Sequence, residues 1–336
     1  TALLILGHGY FEMNDFVAAE SSYHRLLLID LDAEEQEKFE ERLLAAVYKQ
    51  GEAAEAAGYT DDAVAHYLRL ADIGPGSEIA AQGRFDAVAV VEEAGRIGEA
   101  AVLLEGFRTS FPDHELNRDL EKRLADMYER TGDWENAADE YLTLSETAPD
   151  VEVRQQSKYR AAELYLELGD RNEAIEQFKE YAHTYETPLD LNLEAVHHLD
   201  VLYQAAGDGK SRRYWLDRKI DIHRKMGTGA TDRATFLAAE AQYIFAEDER
   251  MNFEVIRLTH PLPKSLKRKQ KALTRTVKAY EAVAEYQVGR FSTASTYQIA
   301  NLYASLSKSI MESDRPGNLN ELELEQYEIL LEEQAY

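Results

Sequence analysis

The sequence predicts an all-α protein built as a solenoid of antiparallel helix pairs, and three observations predict it. A self-similarity of 37 residues runs through four consecutive units. Ala, Leu and Glu dominate the composition while proline numbers only 7, which favours helix almost throughout. Alternating β-branched runs, the signature of half-buried strands, are hard to find. At 336 residues the chain exceeds what one hydrophobic core usually supports. A repeat array accommodates that length because each unit buries its apolar face against its neighbour.

Four columns define the repeat. Small residues stand at Ala63, Ala100, Ala137 and Ala174, large apolar ones at Tyr67, Leu104, Tyr141 and Phe178, and glycines at Gly58, Gly95, Gly132 and Gly169. Pro75, Pro112 and Pro149 keep the same spacing, and Pro188 follows two residues late. A glycine ends the first helix in a left-handed conformation that a Cβ would oppose, and Asp133 or Asp170 directly after it can cap the second helix. The alanine sits where the second helix crosses the first, with the large residue one turn further along the same face. Proline then stops the second helix, since it lacks a backbone N–H and disfavours helix in the residue before it.

Taken in order, the first copy reads Leu6-Gly7, Tyr10, Asn14-Asp15-Phe16, Ala19 and Tyr23. Its Ala19 lies 44 residues before Ala63, so seven residues are inserted, which predicts a lengthened helix over 34–57. A sixth copy reads Tyr203, Gly207-Asp208, with Arg212 in the small-residue column and Leu216 in the large one, a departure that bears on its packing. The array is assigned to residues 1–226, about six helix pairs, and residues 227–336 to a helical extension. Within the extension, 227–232 reads as a flexible break, 232–247 as an amphipathic helix and His260-Pro261-Leu262-Pro263 as a second break. A long basic helix follows, with Leu266, Leu273, Val277, Tyr280 and Val283 as its apolar stripe. Gly289-Arg290-Phe291 with Ala294 mimics a repeat turn, pairing that helix with one over 292–312, and Pro316-Gly317 precedes a last helix over 319–335.

Net charge is −26, unevenly spread. Residues 1–200 hold 17 Lys plus Arg against 44 Asp plus Glu, whereas residues 201–336 hold 20 against 19. The acidic part would repel phosphates, so nucleic acid is disfavoured there and proteins or cationic groups are the expected partners. The long helix carries a basic patch at Lys264, Lys267, Arg268, Lys269, Lys271, Arg275 and Lys278. That patch is read either as neutralising the acidic array or as binding an anionic polymer, lipid head groups or an acidic partner.

Candidate chemistry is sparse. Absence of cysteine removes disulfides, thiolate metal sites and thiol nucleophiles. His197-His198-Leu199-Asp200 has some flavour of a metal site, but adjacent histidines on a helix point about 100° apart, so a structural role is expected. No Gly-rich phosphate loop, His-Glu-x-x-His pair or nucleophile elbow occurs. The expectation is no catalytic residue, no metal and no cofactor. No apolar stretch reaches the roughly 18 residues a membrane span needs. The chain opens on Thr1-Ala2-Leu3-Leu4 with no initiator Met, so it is expected to be a piece of a longer protein, whose leader, if any, lies outside it.

The columns resemble the tetratricopeptide repeat, best in Leu124-Ala125-Asp126-Met127-Tyr128 with Gly132-Asp133-Trp134, Ala137, Tyr141 and Pro149, and in Tyr165 with Gly169-Asp170, Ala174 and Phe178. In that family the first helix of each unit lines a concave groove. The resemblance therefore implies a partner-binding groove at Gln82, Phe85, Glu92, Asp119, Lys122, Asp126, Arg130, Tyr159 and Glu163, able to clamp an extended or helical segment. The longer spacing and the phrases at 140–149 and 176–185 resemble bacterial envelope tetratricopeptide proteins, such as outer-membrane assembly lipoproteins and the Tol-Pal-associated periplasmic factor. The later segment is similar to large tetratricopeptide proteins of gliding-motility or Tol-like machinery. What this resemblance implies is a non-catalytic adaptor in the periplasm or envelope of a Gram-negative bacterium. The rival expectation is a carbohydrate-associated module guiding an anionic exopolysaccharide through the basic patch.

Overall fold

The computed structural model describes residues 2–335, and among them there is no strand. They form two compact units, divided between Gln177 and Phe178. The first unit stacks α1 (Ala2–Glu12) on α2 (Phe16–Leu26), then α3 (Ala33–Ala56) on α4 (Thr60–Leu68) with the short α5 (Leu70–Ile73). It continues with α6 (Glu78–Glu93) on α7 (Ile97–Ser110) and, after a 3-10 turn at Glu115–Asp119, α8 (Leu120–Thr131) on α9 (Trp134–Thr147). Then comes α10 (Val151–Leu168), followed by α11 (Arg171–Thr184), inside which the division falls. The second unit goes on with α12 (Leu189–Ala206), α13 (Gly209–Met226), α14 (Asp232–Glu254), α15 (Leu262–Ala284), α16 (Gly289–Met311) and α17 (Glu321–Ala335), each packed on the next.

Every column has the role its chemistry suggests. The turn glycines from Gly58 to Gly169 and Gly207 hold φ between 71° and 77°, and Asn14 takes the same left-handed place in the first copy at φ 60°. Asp15, Asp133, Asp170 and Asp208 then accept backbone N–H bonds at the start of the next helix, as at Ala18 N (3.1 Å) and Glu173 N (3.1 Å). Helices α5, α7, α9 and α11 all end before their prolines.

Ala19, Ala63, Ala100 and Ala137 are wholly buried, and Tyr23, Tyr67 and Leu104 fill the space beside them. Twelve residues before the small column lies its counterpart on the first helix. A Cβ on Gly7 would come within 2.7 Å of the Tyr23 ring, and one on Gly51 within 2.6 Å of the Tyr67 ring. The two helices therefore approach closely enough for a ring to lie against backbone, which is the packing that small residues on one face permit.

Three boundaries differ from the sequence reading or sharpen it. The inserted residues do lengthen α3, which spans 24 residues. Helix α14 runs on to Glu254 rather than stopping near 247, because Phe253 is wholly buried and Arg250 bridges Glu247 (2.8 Å) and Glu254 (2.5 Å) along the helix. The segment 227–232, read as flexible, is an ordered 3-10 turn at Gly227–Gly229, after which the Thr231 hydroxyl caps α14 through Ala234 N (3.1 Å).

The departure in the sixth copy has a physical basis. Arg212 occupies the column that alanine fills elsewhere, and twelve residues earlier, where Gly7, Gly51, Ala125 and Ala162 stand in other copies, is Asp200. The Arg212 Nε donates to Asp200 Oδ1 (2.8 Å), and Lys219, fully buried, donates from Nζ to Asp200 Oδ2 (2.5 Å). Two small-residue positions have become one buried ion-pair cluster at the same helix crossing. Removing one member of such a cluster strands a buried charge. Asp200→Ala is expected to lower the free energy of unfolding by about 3–5 kcal/mol in urea titration. The triple change Asp200→Ala, Arg212→Ala and Lys219→Met is expected to recover most of that loss, since apolar replacement of a whole cluster is often neutral or stabilising.

Candidate functional site

The surface of α6, α8 and α10 in the first unit carries the residues assigned to a groove, except Asp119, which ends the 3-10 turn before α8. They sit in repeat register: Tyr48, Phe85, Lys122 and Tyr159 form one column at 37-residue steps. Phe85 is half-buried, edge-on to Phe107 with centroids 5.6 Å apart, and the Arg123 guanidinium lies 5.0 Å from its ring centre. Tyr48 donates its hydroxyl to Asp86 (2.6 Å), and burial together with this carboxylate pushes its pKa up. Gln82 Nε2 also donates to Asp86 (2.8 Å).

A ladder of ion pairs links the first helices of adjacent repeats. Arg123 on α8 donates to Glu92 on α6 (2.7 Å), and Arg160 on α10 donates to Glu129 on α8 (2.5 Å). The two pairs are one repeat apart, for both the acids and the bases step by 37. Arg130 adds a second donor to Glu92 (3.2 Å) and reaches Asp126 (3.4 Å), while Arg160 also holds Glu163 (2.9 Å). Being half-exposed, each such pair is worth about 0–1 kcal/mol, so the ladder orients side chains more than it stabilises the stack.

Of the nine assigned residues, Glu92, Asp126, Arg130 and Glu163 are thus engaged with one another or with Arg123 and Arg160. Asp119 and Lys122 are exposed and make no ion pair among the described residues. Phe85, Asp119 and Arg123 come together in a cleft of about 410 Å³ with Leu116 and Arg118. Asp119 and Lys122 also line a neighbouring cleft of about 590 Å³ with Asp113, His114 and Asp150. Tyr159 and Glu163 line neither cleft. Sequence reasoning passed over Arg123, although its 37-residue match to Arg160 was a readable signal.

The basic helix α15 needs one correction. Lys269, assigned to the patch, is only 2% exposed; its ammonium donates to Ile256 O (2.9 Å) and lies 4.5 Å from the centre of the Phe253 ring. Burial pushes its pKa down. The cause is register: Lys269 lies three residues after Leu266 and four before Leu273, on the apolar stripe rather than opposite it. Lys264, Lys267, Arg268, Lys271, Arg275 and Lys278 are exposed, and Arg275 pairs with Glu249.

The adjacent histidines have separate structural roles. His198 stacks on Phe178 with centroids 4.6 Å apart. His197, Asp200 and Glu240 bring ligand atoms within 4.8 Å of one another, a spacing that could suit a metal ion. The Lys219 ammonium lies among them, however, 3.0 Å from His197 Nδ1, 2.5 Å from Asp200 and 4.0 Å from Glu240. A cation of the chain itself already satisfies this cluster. Because Nδ1 accepts from Lys219, the imidazole carries its proton on Nε2 and is neutral.

Burial, and next the Lys219 charge, hold the His197 pKa down at about 4 against an ordinary 6.5. The unfolded chain therefore takes up a proton at a pH where the folded one does not. This contribution to stability is whole above about 6.5 and is lost as pH falls towards 4. His66 and His223, also shifted down by burial, act with the same sign. The thermal midpoint is expected to fall across that window, and to fall less steeply in His197→Asn, whose amide oxygen can accept the same Lys219 bond.

With this geometry in place, comparison with known proteins adds the repeat's identity. Family models described as tetratricopeptide repeat match residues 122–155 and 156–187, so α8–α11 carry tetratricopeptide repeats. Among solved structures, the chain is similar to a tetratricopeptide repeat protein from Parabacteroides merdae, at 11% identity and a TM-score of 0.31, covering 86% of this chain and 98% of that one. It is also similar to the C-terminal part of a TPR repeat-containing protein from Cytophaga hutchinsonii, at 10% identity and a TM-score of 0.37, covering 83% of this chain and 93% of that one. No curated protein matches the chain in sequence. Tetratricopeptide repeats serve generally as scaffolds for protein interaction.

Proposed function

We propose that the chain is a non-catalytic scaffold that holds a segment of a partner protein against α6 and α8 of the first unit, and that it organises a bacterial envelope complex. The observation that carries the binding face is the pair Asp119 and Lys122. They stand exposed and without an ion pair beside the Phe85 cleft, while Arg123, Glu92 and Arg130 nearby are engaged with one another. A cleft with Phe85, Leu104, Leu116 and Leu120 in its wall, Asp119 at its lining and Lys122 at the neighbouring one suits a peptide that offers an apolar side chain with a base and an acid near it. The envelope setting rests on the likeness of the repeat phrases at 140–149 and 176–185 to envelope tetratricopeptide proteins.

Affinity capture from an envelope extract of the source organism tests this reading. The unaltered chain is expected to retain a protein that the double change Asp119→Lys, Lys122→Glu loses by at least about tenfold. Both positions are exposed, so circular dichroism and the thermal midpoint are expected to stay unchanged. Retention of the same protein by the double variant would overturn the assignment of the face.

A further inference from the structure

A second candidate surface lies on α15. Arg268, Lys271, Arg275 and Lys278 follow one another at helical spacings of three, four and three, so they share one face over about 15 Å. They form one wall of a groove of about 850 Å³, whose other wall is the end of α14 and the residues after it, Asn252, Val255 and Ile256. Two features of the groove stand together. First, its cations are largely unspent, as are others at the surface, but here they are in line. Arg69, Arg96, Arg108, Arg123, Arg160, Arg212, Arg233 and Arg250 all hold carboxylates, yet Arg268, Lys271 and Lys278 make no ion pair among the described residues; only Arg275 is paired, to Glu249. Second, the opposing wall is apolar and open, with Val255 76% exposed and Ile256 half-buried.

We infer that this groove is a docking site for an acidic protein segment that carries apolar side chains among its carboxylates. Charge complementarity selects the acid, because three unpaired cations in line gain most from an anionic chain laid along them. The apolar wall selects a peptide over a wholly hydrophilic polyanion, since covering Val255 returns free energy only if the ligand brings apolar surface. The concave form selects a chain over a lipid surface, which would meet a flat or convex face. The chain's overall charge does not oppose this. Residues 210–278 hold 17 Lys plus Arg against 8 Asp plus Glu, and charges beyond about 8 Å are largely screened at physiological salt.

The groove shares no residue with the face proposed above, so the two can be tested separately. The probe is a fluorescein-labelled peptide of four Glu-Glu-Leu repeats, read by anisotropy against the full chain. It is expected to bind, to weaken with added salt, and to lose at least about tenfold in affinity with Lys271→Glu plus Lys278→Glu. Val255→Asp is expected to weaken it as well, and the peptide with Gln in place of Glu is expected not to bind. Three results would overturn the inference. One is no binding of the acidic peptide. Another is equal binding of a peptide with Ser for Leu, or of oligoglucuronate, unaffected by Val255→Asp, which would make the groove a general polyanion site. The third is tighter binding to phosphatidylglycerol vesicles than to the peptide, lost with the same Lys changes, which would make it a membrane contact. Thermal midpoints equal to that of the unaltered chain identify the effects as local.

Discussion

Close approach at the helix crossing is the constraint on which the rest of the structure depends. Where Gly7 faces Tyr23, or Gly51 faces Tyr67, there is no room for even a methyl group between backbone and ring. In these two pairs that distance fixes how the second helix lies on the first. Once it is fixed, residues at equal places in successive repeats face the same way, and a side chain on one first helix meets its counterpart on the next. The Glu92–Arg123 and Glu129–Arg160 pairs are products of this register rather than its cause, for half-exposed ion pairs are too weak to impose a packing geometry.

The sixth copy shows what the constraint demands. A carboxylate and a guanidinium occupy two places that in most other copies are small and in none are charged, and each alone would be costly, since burial without a partner leaves a charge unsolvated. Together, with Lys219 as a third member and His197 as a neutral acceptor, they satisfy one another inside the crossing. Apolar packing has been exchanged for a polar arrangement that tolerates few alternatives. Directional bonds at 2.5–3.0 Å join the three charged groups and the imidazole, and none of them can shift without leaving another unsatisfied.

How far the sequence could be read follows from the same logic. The columns were legible because a repeat states each requirement several times, and because a left-handed turn favours glycine as strongly as a helix interior rejects proline. The end of α14 was not, because it depends on Phe253 finding a buried place, which no local pattern encodes. Lys269 was counted with its charged neighbours although its register set it on the apolar stripe; residue type outweighed position, and position decided. The nine groove residues could be placed on their helices from the repeat alone. Which of them remain free for a partner could not, because that depends on pairing between repeats, and a single acidic residue such as Glu92 does not announce that two arginines reach it.

Net charge proves a poor guide to where this molecule can bind. The first unit is strongly acidic, and several of its arginines, Arg108, Arg123 and Arg160 among them, are drawn into pairs within and between repeats, while Asp119 and Lys122 stay exposed without an ion pair. Residues 201–336 are nearly neutral in sum, yet along α15 the local imbalance is large, because the acids of α14 are spent close to home: Glu247 and Glu254 on Arg250, and Glu249 on Arg275. The cations beyond their reach stay in water. At physiological salt an incoming chain responds to charges within about 8 Å rather than to the total. Binding capacity therefore resides in the residues that the fold leaves without partners, and these are found by accounting for pairs, not by counting charges.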